Sequence, residues 1–176
     1  MTMTPLELIK NDLILFHAAI SQQYNQILEE FNFDKQGDMP NRHNLGREAA
    51  FLVLAQAFLI DVDNKIEAME DNPALFSVYT ESEDPAKVSQ GMLENSKDTV
   101  AAAAEDEDFR QAAITTAQKE SPHVTPHHFF AGFPAVLSWL EDAVAQAQDI
   151  ISEIISDSEK EPESVPATPV LKPGMN

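Results

Sequence analysis

Cysteine is missing from this chain of 176 residues. Its absence excludes disulfides, thiolate nucleophiles and sulfur-ligated metal or iron–sulfur sites. It suits a reducing compartment. Glycine is scarce, at five residues. Neither G-x-G-x-x-G nor G-x-x-x-x-G-K-[ST] occurs, so the loops that cradle phosphates are absent. There is no G-x-S-x-G elbow. Nucleophilic catalysis has no foothold. Any two carboxylates can form a general acid–base pair, and nothing in the sequence favours one pair over another.

Long apolar runs are also lacking. None reaches the ~18 residues that a membrane span requires. The opening "MTMTPLELIK" has no basic start, apolar stretch or small-residue cleavage site of a secretory signal. The expectation is a cytoplasmic, soluble chain. Positive charge is the last scarcity. Eleven bases stand singly against 30 acids, for a net charge of −19. Phosphate backbones and anionic membranes repel such a chain, and no basic patch offsets this. We expect no direct contact with nucleic acid or membrane. The natural partner is basic: a protein patch, a polyamine or a cation. Solubility alone is the plainer reading of the same charge.

What is present is helix. Apolar residues make up 43% of the chain, close to the globular norm, so a packed core is expected. Thr4, Pro5 and Glu7 spell a capped helix start. Leu6, Ile9, Leu13, Phe16, Ile20, Ile27 and Phe31 then recur at steps of three, four or seven. This predicts a helix from Pro5 to about Phe31, closed by Gly37 and Pro40. Its near-heptad rhythm suits an intrachain bundle or a helix pair between two subunits. A second helix is predicted from about Leu45 to Glu70. Its apolar set is wider than one stripe, so it should be the most buried element.

The middle is less regular. "PALFSVY" suggests one or two helical turns. "SEDP" offers caps, and Pro85 suits a helix start. Gly91 and "ENS" suggest an interruption near Ser96. An Ala-rich helix follows from Lys97 to about Lys119, with a thin stripe that implies exposure. Thr125 and Pro126 suggest a short turn. The last helix is predicted from Pro134 to about Ser156, striped by Leu137, Leu140, Val144, Ala147, Ile151 and Ile154. "DSEKEPESVPATPVLKPGMN", with four prolines, reads as a disordered tail. No period-two run and no hairpin signal occurs. The fold class is therefore all-α: a bundle of three to five helices over residues 1–156, with a disordered, acidic, Pro-rich tail over 157–176.

The acids carry the most specific signal. From Asp61 to Asp108 fourteen acids face three bases, a difference of −11. The run Glu105, Asp106, Glu107, Asp108 fans out at about 100° per residue on a helix, so it cannot converge on one ligand. It reads as a solvated turn, or as part of a wider negative surface that attracts basic patches. "DVDNKIE" resembles a calcium loop but lacks its glycine and final glutamate. His123, His127 and His128 sit beside prolines and read as polar loop histidines able to titrate near neutrality. Phe129, Phe130 and Phe133 either plug the bundle end or anchor a partner.

These features together predict a non-catalytic, acidic interaction protein without cofactor or metal. It would dock on a basic protein as adaptor, assembly factor or inhibitor, as viral accessory and anti-defence factors do. The expected docking residues are Asp61, Asp63, Glu67, Glu70, Asp71, Glu81, Glu83, Asp84, Glu105, Asp106, Glu107 and Asp108, with Phe129, Phe130 and Phe133. Two other classes fit the same features. One is a nucleic-acid mimic that blocks a DNA- or RNA-binding enzyme. The other is a structural subunit of a larger assembly, including a homo-oligomer built through the first helix.

Overall fold

The computed structural model describes residues 3–76 and 84–160. Among these residues there are seven helices and no strand. The all-α expectation holds, and the helix count exceeds the three to five expected. The expected tail began at residue 157, but residues 157–160 continue the last helix; the rest of it, from residue 161 onward, and the "SVY" of the middle segment lie outside the described residues.

Helix α1 spans Pro5–Asp34. Thr4 Oγ1 accepts from the Glu7 amide at 3.1 Å, satisfying one of the free donors of the first turn. Ile9, Leu13, Phe16, Ile20, Ile27 and Phe31 are all buried, so the stripe is used inside the chain. Helix α2 spans Arg42–Asp71. Asn41 caps it by accepting from the Asn44 amide, and its first residue, Arg42, lies three residues before the expected start. Pro73 to Phe76 add one further helical turn.

Helix α3 spans Pro85–Glu105, capped by Asp84. The interruption expected at Gly91 and Ser96 does not occur. Gly91 is exposed and meets nothing, so a helix passes through it without conflict. Ser96 is buried, but its hydroxyl donates to Asp61 Oδ2 at 2.6 Å, so its burial leaves no donor unmet.

The expected single helix from Lys97 to Lys119 is divided instead at Asp106. Helix α4 spans Glu107–Glu120 and buries only Ala113, Ile114 and Ala117, as its thin stripe implies. Helix α5 spans Pro126–Ala131, with Thr125 as its cap. The predicted last helix is also divided. Helix α6 spans Phe133–Ala145 and helix α7 spans Ala147–Lys160, with the break at Gln146, whose amide is shared between the Asp142 and Ala143 carbonyls.

Helix α2 is the hub. It packs on α1, α3, α5 and α6, which explains why its apolar set is wider than one stripe. Phe58 meets Phe16 of α1 edge to face at 6.0 Å, and Phe51 meets Trp139 of α6 at 4.8 Å. Each fully buried ring or branched chain of this kind contributes about 1.5–3 kcal/mol. Gly46 of α2 is where α5 comes closest. A Cβ there would lie 2.5 Å from His128 Cβ and 2.8 Å from its backbone carbon. Helices α1, α3 and α7 share a polar tie. Ser89 of α3, fully buried, donates to Asp12 Oδ2 of α1 at 2.7 Å, and Gln148 of α7 hydrogen-bonds the same carboxyl. Burial still pushes Asp12 above the usual carboxylate range.

Candidate functional site

The acidic run that dominates the sequence is a helix junction. The Asp106 amide donates to the Ala103 carbonyl and ends α3. Its side-chain Oδ1 accepts from the amides of Asp108 at 2.8 Å and Phe109 at 3.3 Å and starts α4. One residue thus caps two helices. Glu107 and Asp108 fall in the first turn of α4, where the helix dipole favours negative charge. Arg110 reaches back and donates to the Ala104 carbonyl at 2.8 Å. All four acids of the run are exposed. The solvated-turn reading holds, but the expected continuous helix does not.

The acids of α2 divide by face. Asp61 is half-buried and accepts from both Lys65 Nζ and Ser96 Oγ. Burial works against its charge, but these donors and the Lys65 charge outweigh it, and its carboxyl lies below the usual range. Asp63 reaches His17 Nε2 of α1 at 3.1 Å, and Glu70 approaches Lys10 of α1 at 4.0 Å. Glu67 and Asp71 face solvent, as does Asp84 at the start of α3. Glu81 and Glu83 lie outside the described residues. The region therefore mixes interhelical ties with outward charge.

The cations are disposed differently. Lys10, Lys35, Lys65 and Lys97 sit in ion pairs with Glu70, Glu120, Asp61 and Asp98. Asp98 at 3.0 Å, with Glu141 and Glu94 adding to it, holds the Lys97 ammonium above the ordinary lysine range. Arg47 donates to Asn44 Oδ1 at 2.9 Å. Arg110 lies over the Phe130 ring at 4.2 Å. Most described bases are turned to intramolecular partners, while most acids of the expected surface face water.

The phenylalanines go inward. Phe129 and Phe133 are buried, and Phe130 is half-buried beneath Arg110. Their rings meet pairwise at 5.1 to 5.5 Å. They close the end of the bundle where α5 meets α2, so they offer no exposed anchor. An aromatic triad with its edges covered by core contacts has little apolar area left for a partner.

Two arrangements deserve a chemical test. Ser96 Oγ lies 2.7 Å from Lys65 Nζ, which superficially suits a Ser–Lys nucleophile. Ser96 is 0% exposed, however, and Lys65 is paired with an ionised Asp61. A general base must be able to lose its proton, and a nucleophile must be reachable. The trio is a buried tie between α2 and α3. The histidines gather more than sequence implies: His43 of α2 lies 5.7 Å from His128, which lies 5.3 Å from His127. His128 Nδ1 is held by Thr125 Oγ1 at 2.7 Å. Among the described residues no group of three or more His, Asp or Glu is placed to hold a metal ion. The "DVDNKIE" segment is plain helix within α2.

One residue escaped sequence reasoning. Glu48 of α2 is only 6% exposed. Its burial, with Asp34 as a hydrogen-bonding neighbour and Glu30 nearby, pushes its carboxyl up to about 8. The signal was present: Glu48 sits three residues after Leu45 and four before Leu52, on the apolar stripe itself. A groove of about 330 Å³ runs between α1, α2 and α4, with Tyr24, Leu52, Gln56 and Thr116 in its lining. Lys35 and Glu120 pair at 3.4 Å beside it.

Compared with family models, with curated proteins and with solved structures, the chain matches none.

Proposed function

We propose that this protein is a non-catalytic acidic interaction module that docks on a basic protein surface. One observation carries the reading: the packed body turns most of its described cations to internal partners and leaves its excess carboxylates in water. Glu67 and Asp71 on α2, Asp84 on α3, and Glu107 and Asp108 on α4 are free of the ties that engage Asp61, Asp63 and Glu70. Charge arranged this way raises the association rate with a positive patch more than it adds contact energy. Adaptor, assembly factor and inhibitor are the roles such a surface serves.

The test is a fourfold variant, Glu67→Gln, Asp71→Asn, Glu107→Gln and Asp108→Asn, which leaves the Asp106 caps in place. Proteins retained by the immobilised wild-type chain at low salt should be basic, should elute as salt rises, and should be lost from the variant. Retention of the same partners by both chains would defeat the reading. Adding duplex DNA to the retained complex separates a nucleic-acid mimic from a docking protein. A mimic is displaced, because both ligands seek one cleft.

A further inference from the structure

Helices α1 and α2 meet along a seam that repeats every seven residues. Lys10 Nζ lies 4.0 Å from Glu70 Oε1, and one heptad further along each helix His17 Nε2 lies 3.1 Å from Asp63 Oδ1. The next heptad step brings Tyr24 level with Gln56, and the one after brings Phe31 level with Ala49. These last four residues all line the groove of about 330 Å³. The antiparallel register is therefore kept from one end of the seam to the other.

Past the groove the outer side of the seam is open. Helix α4 borders the groove through Thr116, Ala117 and Glu120. Beyond it, Ile14 of α1 is 42% exposed and Ile60 of α2 is 52% exposed, each three residues ahead of a member of the His17–Asp63 tie. Val53, Gln56, Ile60 and Glu67 follow at steps of three, four and seven, so they share one face of α2. Ile14, Ser21 and Leu28 share a face of α1 in the same way. At the far end, Leu6, Glu7, Lys10, Met69 and Glu70 line a second hollow of about 350 Å³. Between the level of Tyr24 and that of Lys10 the seam runs roughly 20 Å, two heptads of helix.

The charge changes along this length. Tyr24, Leu28, Val53 and Gln56 give the groove end an uncharged lining, and its carboxylate, Glu120, is already bound to Lys35 at 3.4 Å. The far end sets Glu7, Asp63, Glu67, Glu70 and Asp71 against Lys10 and His17. Of these acids Glu7, Glu67 and Asp71 face solvent. A seam of this kind fits a helix that carries apolar side chains at one end and basic ones at the other.

Given the docking on a basic protein argued above, we propose that the open α1–α2 seam is the docking surface and that its occupant is an amphipathic helix of the partner. That helix lies along the seam, with an apolar side chain in the groove, further apolar contact on Ile14 and Ile60, and lysine or arginine one to two heptads away over the far end. A second copy of this chain fits worse, because it would bring another net charge of −19 to a face that is already acidic.

The test uses the full chain and a synthetic helical peptide of three heptads, with leucine at a and d throughout and lysine at e and g in one terminal half. Nitrogen-15 amide mapping should show shifts at Tyr24, Gln56, Ile60 and Glu67. The double variant Ile14→Ser with Ile60→Ser should bind the peptide at least tenfold more weakly by fluorescence anisotropy. Phe33→Ser, which alters an apolar side chain that is 79% exposed outside the seam, should bind it as the wild type does. A peptide with glutamate in place of lysine should not bind. Equal binding of the two peptides, shifts centred away from the seam, or no binding at up to about 1 mM would overturn the proposal. Should the double variant fail to fold, the wild-type shift map decides by itself. In the peptide-free chain, concentration-dependent shifts at the same amides would make a second copy the occupant. Nuclear Overhauser contacts from residues 161–176 to the seam would make it the chain's own end. Either result rules out the partner helix. Basic proteins retained equally by the immobilised wild type and the double variant would sink the seam and leave the basic-partner reading standing. A wild type that retains no basic protein would sink both.

Discussion

Two carboxyls of α2 shift in opposite directions, and the contrast shows what burial does with and without donors. Asp61 is half-buried but faces an ammonium and a hydroxyl, so its charged form is favoured. Glu48 is more deeply buried and faces acids, so its neutral form is favoured. The signs for stability follow. A carboxyl lowered in the fold contributes above its unfolded value near 3.8 and loses that contribution as pH falls through its folded value. A carboxyl raised from 4.5 to about 8 does the reverse: the folded state holds a proton that the unfolded state has released, so stability falls as pH rises across that window. Urea unfolding of wild type and Glu48→Gln at pH 5 and pH 9 should therefore diverge. The variant should gain on the order of 2–4 kcal/mol relative to wild type at the higher pH. A constant difference between the two chains would count against a buried proton. Residue type alone could not reveal Glu48. Its place on the apolar stripe, as a polar intruder between Leu45 and Leu52, does.

At the scale of elements, the helix types and the hub position of α2 were legible because apolar periodicity is a property of single helices. The breaks at Asp106 and Gln146 were less so. Asp106 is a capping residue followed by two acids, a start signal hidden by the alanines that favour helix on its other side. Glycine behaves oppositely at two positions. Gly91→Ala, in the exposed middle of α3 with no neighbour within 4 Å, should stabilise by about 0.5–1 kcal/mol, since alanine loses less backbone freedom on folding. Gly46→Ala should destabilise by about 1–3 kcal/mol, because its methyl group would strike the His128 backbone and force α5 away from α2. No sequence pattern separates the two glycines, since only the packed fold decides what each meets. Asp106→Ala should cost about 1 kcal/mol through the lost cap, and its thermal midpoint should fall accordingly.

At the scale of the whole molecule, a net charge of −19 on a helical body sets two effects against each other. Exposed like charges repel and destabilise the compact state, and the same charges draw in a positive partner. Salt screens both, with a Debye length of about 10 Å at 0.1 M and about 3 Å at 1 M. The ties of Asp61 to Lys65 within α2 and to Ser96 of α3, and of Asp12 to Ser89, are part-buried, so salt reaches them least. Raising salt from low to high concentration should therefore raise the thermal midpoint while weakening attachment to a basic partner. The fourfold variant that neutralises Glu67, Asp71, Glu107 and Asp108 should reproduce the first change without added salt. A thermal midpoint that falls with salt would mean that the surface carboxylates act mainly through attractive pairs inside the chain. In that case the outward charge would belong to the fold, and the docking role would lose its physical basis.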